Sequence, residues 1–383
     1  MIKAQSIAFN TIYIYLEGGS ILKSKSIVLK EFLKPLETEY IEIPKLKDGQ
    51  ILVKIEAAGV CGSDVHMWKG EDPRTPLPII LGHEGVGRIV EINGRKETVY
   101  GETLKSGDLI IWNRGVTCGQ CYACKILKEP SLCKDRRTYG INVSSKNAPY
   151  LNGCYSEYIV LDSRTDIFKV ESKIDPALLV SASCSGATIA HAFDMMGGIL
   201  GQTVVIQGPG PLGAYSVAFA KYLGANEIIV IGGSQDRLDL CRKLGATTIL
   251  NRHDTDAEER REVVFNKTKG IGADLVVEAV GSQGVVEEGI KLLRSGGEYY
   301  STGFAQPAGL ENIDFYKDIV SKNIKIQGIW VSDTKHTQMA IDIVKKNKEG
   351  FGELISHRFS LDEANQAIKV MNNKEALKAV LIP

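Results

Sequence analysis

Six residues, Gly208-Pro-Gly210-Pro-Leu212-Gly213, set the tightest limit on what this chain can fold into. They follow an apolar run, Thr203 to Gln207, and open a helical stretch, Pro211 to Leu223, that Gly224 closes. In that setting the pattern G-x-G-x-x-G marks a strand–turn–helix junction. Its glycines allow a tight turn and let a ligand come close to the backbone. The free N–H groups and dipole of the helix start favour an anion, here the pyrophosphate of a dinucleotide. Gly208, Gly210, Leu212 and Gly213 are therefore expected to contact a nicotinamide dinucleotide. A glycine-rich turn without a ligand is the bland alternative.

The same rhythm continues along the chain. Ile228 to Ile231 reads as a strand, Gln235 to Leu244 as a helix closed by Gly245, and Thr247 to Leu250 as a strand. Ala273 to Ala279, Gly284 to Leu293 and Glu298 to Thr302 extend the alternation, which implies a parallel sheet covered by helices. The pattern begins near Asp175-Pro176, a helix N-cap followed by Pro. Before it, from Ser26 to about Leu161, the chain is short-stranded. Ile51, Val53 and Ile55 alternate with Leu52, Lys54 and Glu56, and Arg88 to Ile92, Asp108 to Trp112 and Tyr155 to Leu161 lie between Gly-rich turns. That region reads as an irregular β barrel or sandwich. After Asn323 come a strand (Ile324 to Ile329), two helical stretches and a closing strand, Ala379 to Ile382. A length of 383 residues is too great for one ordinary core and implies two domains.

Composition excludes several classes. Lys+Arg and Asp+Glu both count 46, so no basic field attracts nucleic acid. No apolar run reaches the roughly 18 residues that span a membrane. Ile7 to Leu16 is apolar, but Asn10 and Thr11 interrupt it and no small-residue cleavage site follows. Residues 1–25 are therefore expected to be an N-terminal extension, from an early start or a hairpin, and the protein to be cytoplasmic. In a reducing compartment the eight cysteines are metal ligands before they are disulfides.

Cys61-Gly-Ser63-Asp64-Val-His66, followed by Gly82-His83-Glu84, collects a thiolate, two imidazoles, a hydroxyl and two carboxylates. A catalytic zinc keeps three protein ligands and one open position, and Cys61 and His83 suit two of the three. Cys118-Gly-Gln-Cys121-Tyr-Ala-Cys124 and Cys133 place half of the cysteines within sixteen residues, the pattern of a closed structural zinc site. A disulfide pair or an iron–sulfur cluster is the alternative there. At the end of the second strand, where a carboxylate would bind the ribose of NAD, stand Gly232-Gly233-Ser234 and then Arg237. A hydroxyl and a guanidinium without an acid favour a 2′-phosphate, so Gly233, Ser234 and Arg237 point to NADP(H) over NAD(H). Otherwise Arg237 is a solvated helix residue that meets the adenosine from one side with either cofactor.

Gly59-Val60-Cys61-Gly-Ser-Asp-Val-His66, Gly82-His83-Glu84, the four-cysteine lobe, Gly153-Cys-Tyr-Ser-Glu157-Tyr and the glycine fingerprint together carry a resemblance. From Ser26 to Pro383 the chain is similar to the zinc-dependent alcohol dehydrogenases of the medium-chain dehydrogenase/reductase superfamily. The resemblance implies a GroES-like irregular β-barrel catalytic domain, residues 26–184 and 323–383. It also implies a Rossmann domain with a doubly wound parallel sheet, residues 185–322. It supplies a third ligand, Cys184, 24 residues before Gly208. Cys154 and Cys241 are expected to pack in the interior. The implied chemistry is hydride transfer between a primary, secondary or polyol alcohol and NAD(P), giving an aldehyde or ketone, with two zinc ions per chain. Ser63 would pass the alcohol proton through the cofactor ribose to His66, Asp64 would orient His83, and Glu84 would serve as an exchangeable ligand. Lys378 would touch the pyrophosphate. Gly62 stands where relatives often carry Arg or His, and the gap from Cys124 to Cys133 is one residue longer than usual. Relatives pair the sheet edges of their nucleotide domains, which implies a homodimer or homotetramer. A non-catalytic, nicotinamide-binding structural or regulatory protein is the alternative. The substrate itself is not legible; Trp68, Trp112, Tyr139 and Trp330 are candidates for its pocket or for the core.

Overall fold

The structure is a computed structural model that describes residues 22–383. The apolar run from Ile7 to Leu16 lies outside the described residues. The part before residue 170 is built of short strands: β1 (Lys23–Leu29), β2 (Glu37–Glu42), β3 (Ile51–Val60), β4 (Ile79–Ile80), β5 (Glu84–Ile92), β6 (Leu109–Trp112), β7 (Gly115–Val116), β8 (Arg137–Thr138), β9 (Tyr158–Leu161) and β10 (Ile167–Lys169). One helix, α1 (Gly62–Lys69), follows β3. Strand β1 begins inside the segment expected to be an extension, because Lys23 to Lys25 pair with Tyr40 to Glu42 of β2.

The middle of the chain alternates as expected. Its elements are α2 (Ser185–Met196), β11 (Thr203–Gln207), α3 (Pro211–Tyr222), β12 (Glu227–Gly232), α4 (Gln235–Leu244), β13 (Thr248–Asn251), α5 (Ala257–Lys267), β14 (Ala273–Glu278), α6 (Val285–Leu292), β15 (Leu293–Ser301) and β16 (Lys325–Gly328). The six strands form a parallel sheet in the order β13-β12-β11-β14-β15-β16. Connections run one way from β11 to β13 and the other way from β14 to β16, so the order reverses beside β11. Ligands of open α/β sheets bind at such a switch point, outside the carboxyl ends of the strands. Strand β16 belongs to this sheet, paired with β15 from Glu298↔Lys325 to Ser301↔Gly328. This sheet therefore extends past residue 323.

The remainder comprises α7 (Thr334–Lys346), α8 (Lys348–Leu354), β17 (Ile355–Ser360), α9 (Ala364–Asn372) and β18 (Lys378–Ile382). Strand β18 returns to the first unit, whose main sheet runs β10-β6-β5-β3-β18-β17 with β9 also on β3. Two pairings here position the site. β3 meets β5 antiparallel, with Gly59 opposite Glu84, and meets β18 antiparallel, with Val60 opposite Ala379. The two units share one core, in which Val86, Leu109 and Ile111 of the barrel join Phe193 of α2, Val204 of β11 and Ile341 of α7.

Helix α7 starts on a buried histidine. His336 Nδ1 accepts the N–H of Asp333, and its ring stacks on His191 with centroids 4.5 Å apart. Burial and the neighbouring His191 pull its pKa from 6.5 down to about 4, although Asp194 works in the other direction. The folded protein thus keeps His336 neutral where the unfolded chain would protonate it. Stability is full above pH 6.5 and is lost as pH falls from 6.5 toward 4, by up to about 3 kcal/mol from this residue. His336→Gln, which keeps a capping side chain, should show a smaller fall in urea midpoint between pH 7 and 4.5 than the wild type. Equal falls would remove His336 from the acid response.

Candidate active site

Strand β3 ends at Val60, and Cys61 caps helix α1. Three residues on, Asp64 turns back and accepts the N–H of Cys61 at 2.7 Å. It also accepts the Tyr155 hydroxyl at 3.2 Å and the Gly82 N–H at 3.4 Å, so the carboxylate is fixed without exposure. His83 lies beside it, with Nδ1 3.2 Å from Asp64 Oδ1 but not aligned as a hydrogen bond. Cys184 stands at the joint between a short 3-10 segment (Pro176–Ser183) and α2. Its Sγ is 4.0 Å from Cys61 Sγ and 3.3 Å from His83 Nε2. With a Glu84 oxygen, these ligand atoms all fall within 4.8 Å of one another. Zinc bonds of about 2.3 Å to sulfur and 2.0 Å to nitrogen would set tetrahedral neighbours about 3.5–3.8 Å apart. The donor set and its spacing fit that ion.

Electrostatics are strong here because the groups are dry. The Cys184 hydrogen bond holds the Cys61 thiol well below its ordinary pKa, and the same bond holds Cys184 well above. Burial pulls His83 down, but Asp64 and Cys61 together outweigh it and lift the imidazole to about 9. Burial raises the Glu84 carboxyl, and Lys378 opposes that rise. Lys378 Nζ lies 2.5 Å from Glu84 Oε2 and only 1% of its side chain is exposed. Neither Glu84 oxygen has an aligned hydrogen bond. Lys378, expected at the pyrophosphate, is thus paired with Glu84 beside the cluster, because β18 pairs with the end of β3 there.

The relay residues are near but not identical in setting. Ser63 Oγ is 3.8 Å from Cys61 Sγ. His66 is half-buried on α1, and its Nδ1 lies 2.5 Å from Glu71 Oε2, a carboxylate that the motif itself does not include. Two arginines also escape the sequence reading. Arg114 is 5% exposed and donates from Nη1 to Cys184 Sγ at 2.9 Å. Arg136 lies flat on Gly115, where an added methyl would fall 2.2 Å from its Nη2, and donates to the Ser332 carbonyl at 3.2 Å. Burial and Arg114 push Arg136 down to about 9. An arginine in a connection between strands reads as solvated, so only tertiary contact reveals either one.

In the lobe, Cys118, Cys121, Cys124 and Cys133 also gather within 4.8 Å. Cys133 Sγ is 3.5 Å from Cys118 Sγ and Cys121 Sγ is 3.6 Å from Cys124 Sγ, too far for disulfides of about 2.05 Å. The N–H groups of Cys118 and Cys121 point at the sulfurs of Cys133 and Cys118, each 3.3 Å away. Cys154 and Cys241 are both buried away from these clusters.

The nucleotide turn follows its motif. Gly208 has φ +100°, and a methyl on Gly213 would come within 1.9 Å of the Gly208 carbonyl oxygen. A methyl on Gly210 would meet no atom within 4 Å, so that position faces open space where a pyrophosphate fits. Leu212 is partly buried against the main core. Ser234 precedes α4, but Arg237 does not stand free beside it. Its guanidinium donates to the Ala376 carbonyl at 2.6 Å, which ties α4 to the loop before β18. Other residues occupy the strand end instead. A methyl on Gly233 would lie 2.8 Å from Nε2 of His253 and 3.0 Å from Nε of Arg252. Both follow β13, and Arg252 donates its N–H to the Gly232 carbonyl at 2.8 Å. Of the aromatic candidates, Trp112 and Tyr139 are core residues, and Trp68 donates its indole N–H to the Lys34 carbonyl. Trp330 is exposed beneath the Arg74 guanidinium, 5.0 Å from its ring centre.

Known proteins resemble this chain over most of its length. A family model described as the alcohol dehydrogenase GroES-like domain matches residues 47–172, and one described as zinc-binding dehydrogenase matches residues 211–346. The 5-exo-hydroxycamphor dehydrogenase of Pseudomonas putida is 34% identical over 350 residues, covering 90% of this chain and 95% of its own. The L-threonine 3-dehydrogenase of Bacillus licheniformis is 29% identical over 363 residues, covering 94% and 99%. The crystal structure of an alcohol dehydrogenase from Thermotoga maritima is 51% identical with a TM-score of 0.92, covering 94% of this chain and 100% of that one. With both of its halves matched in this way, the chain belongs to the zinc-dependent alcohol dehydrogenases of the medium-chain dehydrogenase/reductase superfamily.

Proposed function

We propose that the protein oxidises an alcohol to a carbonyl compound, or reverses that reaction, by hydride exchange with a nicotinamide dinucleotide at the cluster of Cys61, His83 and Cys184. The observation that carries this reading is the gathering of those three ligand atoms at zinc spacing in one buried cluster with Glu84. When bound, zinc supplies a Lewis acid that makes the alcohol proton acidic, and the nicotinamide supplies the hydride acceptor. The chain does the rest. Asp64 holds the His83 ring, which keeps Nε2 turned to the cluster. Ser63 takes the alcohol proton, and His66, at the half-exposed end of the path beside Glu71, releases it to solvent. Glu84, clamped by Lys378, is a carboxylate within ligand reach and serves as an exchangeable donor. Cys118, Cys121, Cys124 and Cys133 hold a second zinc that closes a loop with little core of its own.

The coenzyme is read as NADP(H). Gly232-Gly233-Ser234 offers no carboxylate, while Arg252 and His253 flank Gly233. A guanidinium there suits a 2′-phosphate. The oligomer is read as a homodimer or homotetramer through the β16 edge, whose neighbourhood carries exposed Phe315, Tyr316, Val320 and Ile326. No single helix among the described residues is long and apolar enough to cross a membrane. The eight free thiols suit a reducing compartment, and the cytoplasm is the inferred location.

Three outcomes test this. Purified protein should carry about two zinc ions per chain by elemental analysis, and Cys184→Ser or Cys61→Ser should leave about one. Cys124→Ser should lose the other ion and lower the thermal midpoint. One chelator-resistant zinc, with no turnover across a panel of alcohols and aldehydes, sinks the enzyme reading in favour of a non-catalytic nucleotide-binding protein. In steady-state assays with both coenzymes, Arg252→Ala should raise the KM for NADP by about tenfold or more and move that for NAD much less. Equal or better kcat/KM with NAD in the wild type would refute the NADP assignment.

A further inference from the structure

Arg114 has no place in the chemistry described so far, yet it occupies the most valuable position near the cluster. It lies in the two-residue connection between β6 and β7. That connection is rigid: the Gly115 N–H is held by the Asn113 side chain at 3.0 Å, and the Arg114 carbonyl accepts the N–H of Tyr139 at 3.1 Å. The side chain is therefore delivered inward, with 5% exposure, to the sulfur of Cys184.

One contact does not satisfy a guanidinium. It has five N–H donors in a planar fork, and among the described residues the only hydrogen bond from its side chain runs to Cys184 Sγ. Its Nε is buried with no partner at all. A buried charge needs a counter-charge. The carboxylates at the cluster are already committed. Glu84 is held by Lys378, and Asp64 by His83, Tyr155 and the Cys61 N–H. Arg136 adds a second cation close enough for the two to disfavour one another, and its Nε is also buried without a partner. A Cys184 thiolate that is a metal ligand shares its negative charge with the ion, so it offers the guanidinium only a partial counter-charge and one acceptor for five donors.

We propose that Arg114 reads an anionic group on the substrate, and that the alcohol is a short hydroxycarboxylic acid. This rests on the dehydrogenase reading above. A guanidinium fork matches a planar carboxylate in two-pronged hydrogen bonding. Nη1 lies 2.9 Å from Cys184 Sγ, and a zinc–sulfur bond adds about 2.3 Å, so the fork stands within about 5 Å of the ion. A hydroxyl at the ion and a carboxylate at Arg114 are then separated by only a few carbons, as in a 2-, 3- or 4-hydroxy acid. The reaction balances without a further reagent. The carbinol carbon gives a hydride to the oxidised nicotinamide, the hydroxyl proton leaves to solvent, and the product is the corresponding oxo acid. The carboxylate takes no part beyond binding.

The test uses pairs that differ in charge and by one methyl group: 3-hydroxybutyrate and lactate against their methyl esters, with zinc-replete protein and NADP. The acid of a pair should exceed its ester in kcat/KM by about tenfold or more, the worth of a charge-assisted fork. Arg114→Met should bring that ratio near one, and Arg114→Lys should keep part of it. Calorimetry with butyrate, which lacks the hydroxyl, gives a readout independent of turnover: butyrate should bind the wild type and bind Arg114→Met at least tenfold more weakly. The proposal is overturned if the wild type turns over esters as well as acids. It is equally overturned if Arg114→Met lowers acid and ester in proportion, because that is the signature of a residue serving only Cys184. Absence of turnover for every alcohol tried defeats the dehydrogenase reading, whereas butyrate binding lost in Arg114→Met still assigns the anion site.

Discussion

The site depends on the double pairing of β3. Its last residues are hydrogen-bonded on one side to the start of β5 and on the other to the start of β18. Three segments far apart in the chain thus bring Cys61, His83 with Glu84, and Lys378 to one point. Gly59 sits at that crossing. A methyl there would fall 2.1 Å from Glu84 Oε2, so the carboxylate reaches the cluster only because this residue has no side chain. Gly85 makes a similar allowance on the next strand, where a methyl would meet Cys154 Sγ and the Trp112 ring, both at 2.6 Å. The packing role of Cys154 follows from that contact.

Around this crossing the protein buries many charged groups, which is tolerable only when each has a partner. Tyr155 illustrates the arrangement. Burial and the Asp64 carboxylate raise its pKa well above the ordinary phenol value, so it remains a neutral donor to that carboxylate. Asp64 in turn can support His83 without needing water. The Cys61–Cys184 pair shows the reverse situation. A hydrogen bond between sulfurs lowers one thiol and raises the other, a strained compromise that a divalent cation would resolve by taking both as thiolates.

What the sequence discloses follows from how local each signal is. The glycine fingerprint, the four-cysteine lobe and the pair of ligand motifs each lie within a few residues, and the geometry of each can be reasoned from spacing alone. Cys184 is 123 residues from Cys61, so spacing could not nominate it and only resemblance did. Helix α5 is likewise quiet in the pattern. Its sequence AEERREVVFNK has a narrow apolar face, and its clearest mark is the Asp256–Glu259 capping box. The tie of Arg237 to the Lys374–Ala376 loop is not legible from its position on α4. Arg252 and His253 reach Gly233 only because β13 lies beside β12, with Asn251 opposite Gly232. Sheet order decides that neighbour, and sheet order is not written in any local stretch.

Lys378 and Arg114 are both buried cations at the same cluster, and the contrast between them separates maintenance from recognition. Lys378 comes from a strand in the middle of a sheet, so its position is set by backbone hydrogen bonds, and it has a dedicated carboxylate in Glu84. Its charge is balanced whether or not a substrate is present. Arg114 comes from a two-residue connection and has a sulfur where a carboxylate would be expected. An ammonium is a point charge that any nearby anion can satisfy, whereas a guanidinium demands a partner of matching shape. The fold therefore holds one cation as part of its own charge balance and leaves the other to be balanced by what enters the site. A residue in such a connection, outside the Cys61, His83 and Cys184 cluster and outside the nucleotide turn, is where the choice of substrate has room to change without disturbing the chemistry.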